Sequence, residues 1–281
     1  MSNIDEFESL FRRAERDAFT YRPPEVRRVA VLTDRDEMFG REVEKAARQL
    51  LPCLADAEFT ILGGDRLGSV ARIEQTVEES SPDLLVTFRL LGEPEKIPPH
   101  SLGRYLDVLT QTLPPPCLVL GGTSADPVLP TEQARSVVVL TDHIRGDSRL
   151  ISSAAGLCAD DAELHLCHVE DDAVFERYME AIGKVPGLDS ELARVQVQDV
   201  LLDEAESYIA AAETVLKKAG VHRNTHAHVT RGHRLETFRG LIEQYEASLV
   251  VLNTKDEGQL AMHGIAYAVA VEITDRPLLM L

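Results

Sequence analysis

The alternation of apolar and polar positions repeats within the chain. Arg27 to Asp34 reads Arg-Arg-Val-Ala-Val-Leu-Thr-Asp, and Arg135 to Asp142 reads Arg-Ser-Val-Val-Val-Leu-Thr-Asp. Each is a short β-branched run closed by an acidic residue, with apolar residues at helical spacing after it. That pattern predicts the first strand of an α/β unit, twice over. A second pair follows, Asp56-Ala57-Glu58-Phe59-Thr60-Ile61-Leu62 and Asp161-Ala162-Glu163-Leu164-His165-Leu166-Cys167. Near the end of each copy a glycine, Gly103 or Gly264, precedes an apolar run begun by Pro116 or Pro277. The offset between copies is 108 at Asp34/Asp142, 105 at Asp56/Asp161 and 161 at the glycines. All of the extra length of the second copy therefore falls after its second strand, and the repeat means duplicated domains rather than a solenoid.

Read in order, Ile4, Phe7, Phe11, Ala14 and Ala18 place an amphipathic helix ahead of the first strand, ended by Pro23-Pro24 and expected to cover its own domain. The first domain then reads strand (Val29 to Thr33), helix, strand (Phe59 to Leu62), helix around Val70 to Val77, strand (Leu84 to Phe88), a Pro-rich loop, helix, and the strand at Pro116. Gly121 through Pro130 reads as a linker. The second domain repeats this order. It inserts a polar stretch around Gly183 to Asp189, a long helix through Leu201 and Leu216 that stops at Gly220, and a strand from Thr225 to Val229. The spans are 1–24 for the helix, 25–124 for a shortened first domain and 131–281 for a complete second one. Strands alternating with helices predict parallel sheets covered on both faces, with five strands in the second domain and four in the first, whose third strand is missing.

Charge narrows the partners. A formal net charge of −18 repels nucleic-acid backbones and anionic membrane surfaces. The first residues are acidic, unlike a signal peptide, and no apolar run approaches the ~18 residues a membrane span requires. These features predict a cytoplasmic protein whose partners are proteins or a small molecule. Cys53, Cys117, Cys158 and Cys167 form no Cys-x-x-Cys pair and read as buried free thiols.

Several segments in this order resemble the universal stress protein family: the first strand ending at Asp142, Glu163-Leu164-His165-Leu166-Cys167-His168-Val169, Val229-Thr230-Arg231-Gly232, Ala247-Ser248-Leu249-Val250-Val251-Leu252, and the segment from Gly264 to Leu281. The first copy resembles the degenerate half of the tandem form. The resemblance implies two tandem Rossmann-like domains of the adenine nucleotide alpha hydrolase-like kind, each with strand order three, two, one, four, five. It also implies a ligand crevice at the carboxyl ends of strands one and four. The switch in winding direction of an open parallel sheet places a crevice there independently.

The candidate cofactor-binding residues around that crevice are Thr141, Asp142, His168, Asn253, Thr254 and Gly264. The resemblance gives Asp142 an adenine or ribose contact, whereas its position alone equally fits a cap of the following helix. Asp34 reads as a helix cap. Nucleotide-binding members of the family resemble Gly, two residues, Gly, nine residues, Gly and Ser or Thr after strand four. Here Asn253 and Asp256 stand at the first two glycines, seven residues separate Asp256 from Gly264, and Ile265 replaces the hydroxyl residue. Asp256 and Glu257 bring negative charge toward a phosphate. In the first domain Phe88 occupies the glycine position, followed by Glu93 and Glu95.

His226 and His228, two apart on one strand face, read as solvated histidines rather than a metal site, since no Cys or carboxylate at suitable spacing completes a ligand set. Arg231 and His233 read as surface groups. No nucleophile elbow, Gly-Lys-Ser/Thr phosphate loop, Gly-x-Gly-x-x-Gly or His-Glu-x-x-His occurs. The expectation is a non-enzymatic stress-response or signalling module with no catalytic residues, no metal and no firmly held cofactor. Its terminal strands, at Pro116 and Pro277, pack side by side as an intrachain pseudo-dimer, and a homodimer is compatible. The alternative is an adenine-nucleotide switch that binds ATP or AMP through the second domain.

Overall fold

The computed structural model describes residues 18–63, 67–93, 101–141, 148–254 and 264–281. The first half runs β1 (Arg28–Leu32), α1 (Glu37–Leu50), a 3₁₀ turn (Pro52–Leu54), β2 (Glu58–Leu62), α2 (Val70–Ser80), β3 (Leu84–Arg89), α3 (Arg104–Thr112), β4 (Cys117–Thr123) and the short β5 (Pro127–Val128). The second half runs β6 (Ser136–Thr141), α4 (Ser148–Leu157), β7 (Glu163–Asp171), α5 (Asp172–Gly183), α6 (Ser190–Lys218), β8 (Asn224–Gly232), α7 (Arg234–Gln244), β9 (Leu249–Leu252), α8 (Gly264–Glu272) and β10 (Leu278–Met280).

Short polar side chains set the helix starts. Asp36 accepts from the Phe39 amide at 2.9 Å and Ser69 from the Arg72 amide at 3.3 Å, while Asp171 and Asp189 cap α5 and α6 in the same way. The expected cap Asp34 is displaced from that role by Asp36, two residues nearer the helix.

The strands form one sheet in the order β2-β1-β3-β4-β10-β9-β6-β7-β8, with β5 paired to β4. The second half has order three, two, one, four, five, and the first half has the same order without its third strand. Within each half the main strands are parallel, and β4 and β10 join the halves antiparallel, with Leu118 opposite Leu279. Apolar residues of the inner strands point alternately to two cores. Val29, Val31, Val137, Val139, Val251 and Leu279 face α1, α4 and α6. Ala30, Leu32, Val138, Leu140, Val250 and Leu278 face α3, α7 and α8. Each core runs unbroken across the seam. Burying both faces explains why the strands read as near-continuous apolar runs.

Three segments depart from the sequence reading. The linker from Gly121 continues β4 and folds back as β5, with Gly121 opposite Val128. Gly122 has φ +73, and a Cβ there would meet the Asp126 carbonyl oxygen at 2.2 Å, so the turn requires glycine. The Gly122 amide also donates to Thr274 O at 2.7 Å, which pins the connection to the other half. Helix α5 was not anticipated. The helix expected over 2–19 lies outside the described residues save its last two positions, which are not helical. Phe19 is buried edge-on against Tyr208 of α6, 6.2 Å between ring centroids, and the Arg22 amide donates to Ser152 of α4 at 3.2 Å. Phe19 and Arg22 therefore contact the second half.

Candidate ligand crevice

Pairing of β6 with β7 and β9 brings the predicted residues to one end of the sheet. Thr141, the last residue of β6, lies beside His168 in register, and Leu140 lies beside Leu252, so Asn253 and Thr254 follow at the neighbouring strand end. Thr141 is fully buried and its hydroxyl contacts both Cys167 O and His168 Nδ1 at 3.2 Å. His168 Nε2 in turn lies 2.9 Å from Glu170 Oε1. The result is a hydroxyl, imidazole and carboxylate in line. The hydroxyl end of this row is fully buried.

Thr254 is turned to its own chain. Its hydroxyl donates to Leu281 O at 2.7 Å and its amide to the same oxygen at 2.9 Å. Asn253 is half-buried beside it. Gly264 opens α8, and among the described residues an added Cβ would meet nothing within 4 Å. Of the six predicted residues, the structure joins Thr141 to His168 and ties Thr254 to the end of β10. Asp142 and the loop residues Asp256 and Glu257 lie outside the described residues.

At the same place in the first half the strand ends are filled. The Asp34 carboxylate accepts from the Gly92 amide at 2.8 Å and, through its other oxygen, from the Ser124 hydroxyl. Leu90 and Gly92 take positive φ (57 and 66), Leu91 and Leu102 are buried, and the Tyr105 hydroxyl donates to Leu67 O at 2.9 Å. Arg89 ends β3 and is only 2 % exposed. It donates to Ala270 O at 3.0 Å, Thr274 O at 3.4 Å, Leu120 O at 3.5 Å and Ile273 O. Three of those carbonyls close α8 of the other half, where cationic groups are favoured. Burial pulls its guanidinium down to about 10 against the opposing charge of Asp275, so it stays charged at neutral pH.

Other groups singled out in the sequence have plain partners. Arg231 pairs with Asp172 at 2.8 Å and lies 4.4 Å over the Phe175 ring, so it is engaged rather than solvated. His233 is the residue before α7. Cys117, Cys158 and Cys167 are buried free thiols, and burial pushes Cys117 and Cys167 up to about 12. Cys53 differs from expectation in reaching the surface.

His226 and His228 are not simply solvated. They join the buried His165 of β7 in a ring stack that the sequence reading missed. The signal was available: His165 has the parity of Glu163 and Cys167, and parallel pairing sets it opposite His226. Among the described residues no group of three or more His, Cys, Asp or Glu is arranged to hold a metal ion. A hollow of about 560 Å³ lies between α5 and α6. Among the described residues no helix is long and apolar enough to cross a membrane.

No family model matches the sequence. No curated protein matches it either. Solved structures do. A protein of unknown function from Pseudomonas aeruginosa PAO1 is 15% identical and superimposes with a TM-score of 0.54, covering 92% of this chain and 93% of its own. A putative universal stress protein from Pseudomonas aeruginosa UCBPP-PA14 gives the same identity of 15% and TM-score of 0.54 over 92% and 94%. A universal stress protein from Archaeoglobus fulgidus DSM 4304 is 13% identical, with a TM-score of 0.50 over 91% of this chain and 85% of that one. With both halves aligned and the strand order of each half in place, the fold is that of the universal stress proteins.

Proposed function

We infer that the chain is a cytoplasmic stress-response module without a catalytic role, acting through protein partners. One observation carries this reading: among the described residues, polar side chains at the strand ends are spent on the chain itself. Asp34 holds Gly92 and Ser124, Thr141 holds Cys167 and His168, and Thr254 holds Leu281. A crevice built to bind a polar ligand tightly keeps such groups free to pair with it, because buried polar groups left without partners are costly. The net charge of −18 supports proteins rather than nucleic acid as partners.

The second reading is an adenine-nucleotide switch in the second half, with ATP or AMP held by Asp142, Asn253, Thr254 and Gly264. It is favoured by the place of Gly264 at the amino end of α8, where backbone amides favour anions. Isothermal calorimetry of ATP and AMP against the full chain, repeated with Asp142→Ala, separates the two. The first reading expects no binding heat from protein free of carried-over ligand. Heat that Asp142→Ala abolishes would overturn it and establish the switch.

A further inference from the structure

The ring stack lies near the amino ends of β7 and β8, away from the crevice residues. Its centre is His165, with a side chain 4% exposed. The Tyr245 ring, at the turn that ends α7, lies flat against it at 4.0 Å between centroids and 17° between planes. His226 stacks on it at 5.0 Å and His228 at 5.3 Å, and His228 also lies 4.7 Å from Tyr245. His165 Nδ1 and His228 Nε2 are 3.1 Å apart. Three elements therefore meet in one group: β7, the outermost strand β8, and the end of α7.

We propose that this stack is an acid-sensitive latch on β8, holding that strand and the end of α7 in place while its imidazoles are neutral and releasing them when the imidazoles take up protons. The 3.1 Å contact is the first reason. A hydrogen bond between two ring nitrogens needs one N–H and one lone pair, so only one proton fits between them. Protonating both rings sets N–H against N–H and like charges side by side. The second reason is the lack of compensating charge. β6 carries no titratable residue between Ser136 and Thr141, and α7 contributes Tyr245 to the stack. β8 contributes His226 and His228, and β7 adds Cys167, whose thiol burial pushes up to about 12 and so keeps neutral, and Glu163, whose Oε2 is 3.8 Å from His165 Nε2 and half exposed. The third reason is position. β8 is an edge strand bonded to the sheet through β7 alone, so it can leave by breaking a single ladder.

The pH window follows from the same geometry. Burial, then His228 and His226, pull His165 down to about 4, with Glu163 opposing, and burial and His226 lower His228 as well. A released imidazole returns to the ordinary value near 6.5. The released state therefore binds more protons between those limits, and the latch weakens as pH falls from about 6.5 toward 4. For His165 alone the opening equilibrium shifts roughly tenfold by pH 5.5.

Hydrogen exchange followed by mass spectrometry on the full chain, at pH 7.5 and 5.5 with intrinsic rates corrected, tests this. Peptides of β8 and of the Tyr245 turn are expected to lose about tenfold in protection at the lower pH, while those of β1 and β4 keep theirs. His165→Phe keeps a ring in the stack but takes no proton, and it should remove the pH response of β8. Protection of β8 that is constant with pH, a loss shared equally by β1, or a response that survives in His165→Phe would each overturn the proposal. If that variant does not fold, NMR titration of the wild-type imidazoles decides: a midpoint for His165 below 5 sustains the latch, and one at or above 6 overturns it.

Discussion

Arg89 and Thr254 occupy the same place in the two halves, each four residues past the strand residue paired with Ala30 or Val138. Both reach the same carbonyl of the repeat, Leu120 O for Arg89 and Leu281 O for Thr254. The threonine stops there. The arginine continues across the seam and closes the end of α8 in the other half. Near it Asp34 accepts from the Gly92 amide and the Ser124 hydroxyl. One repeat has turned its crevice position into a joint between halves, and the other has kept a small side chain folded onto its own backbone. Equivalent positions in a duplicated chain need not keep equivalent work: both are buried, and their hydrogen-bond partners differ.

This contrast can be broken most strongly at Arg89. Arg89→Ala leaves several buried carbonyls without a donor and opens a cavity, a loss of roughly 3–5 kcal/mol. Thr254→Val removes one hydrogen bond at nearly constant shape, and its cost is about 1 kcal/mol. Urea unfolding of the two variants measures both, and equal losses would contradict the joint. The glycines give a smaller, sharper test. Gly103 has φ +89 and an added Cβ would lie 2.9 Å from Leu90 Cα, so Gly103→Ala should cost roughly 2–3 kcal/mol. Gly264, its counterpart, is the first residue of α8, an added Cβ there meets no described residue within 4 Å, and Gly264→Ala should instead gain about 0.5–1 kcal/mol. Opposite signs in thermal melts are the expected result.

The strand order was legible because the repeat carried it. Two copies of one pattern, offset by a single insertion, fix which strand the first half lacks. What escaped the sequence was set by contacts between distant residues. Asp34 and Asp36 are equally good caps as letters, and only the approach of Gly92 and Ser124 decides that Asp34 is taken. Gly121-Gly122 suits a flexible linker as well as a tight return, and Asp126 O and Thr274 O select the return. His165 reads as one residue of an apolar strand until β8 is laid beside it. Of the crevice, the convergence of Thr141 and His168 followed from strand order, whereas their mutual satisfaction did not, because hydrogen-bond partners one strand away leave no local mark.

The antiparallel seam also sets a clock on synthesis. Leu279 follows its partner Leu118 by 161 residues, so at about 5–20 residues per second a nascent chain carries an unpaired β4 for roughly 8–32 s. Throughout that interval Cys117 to Leu120, four consecutive apolar residues, forms an open edge with bare backbone donors and acceptors. β5 masks only Gly121 and Gly122. Translation speed across the second half, more than the stability of the finished sheet, governs how long that edge is available to a neighbouring ribosome's product.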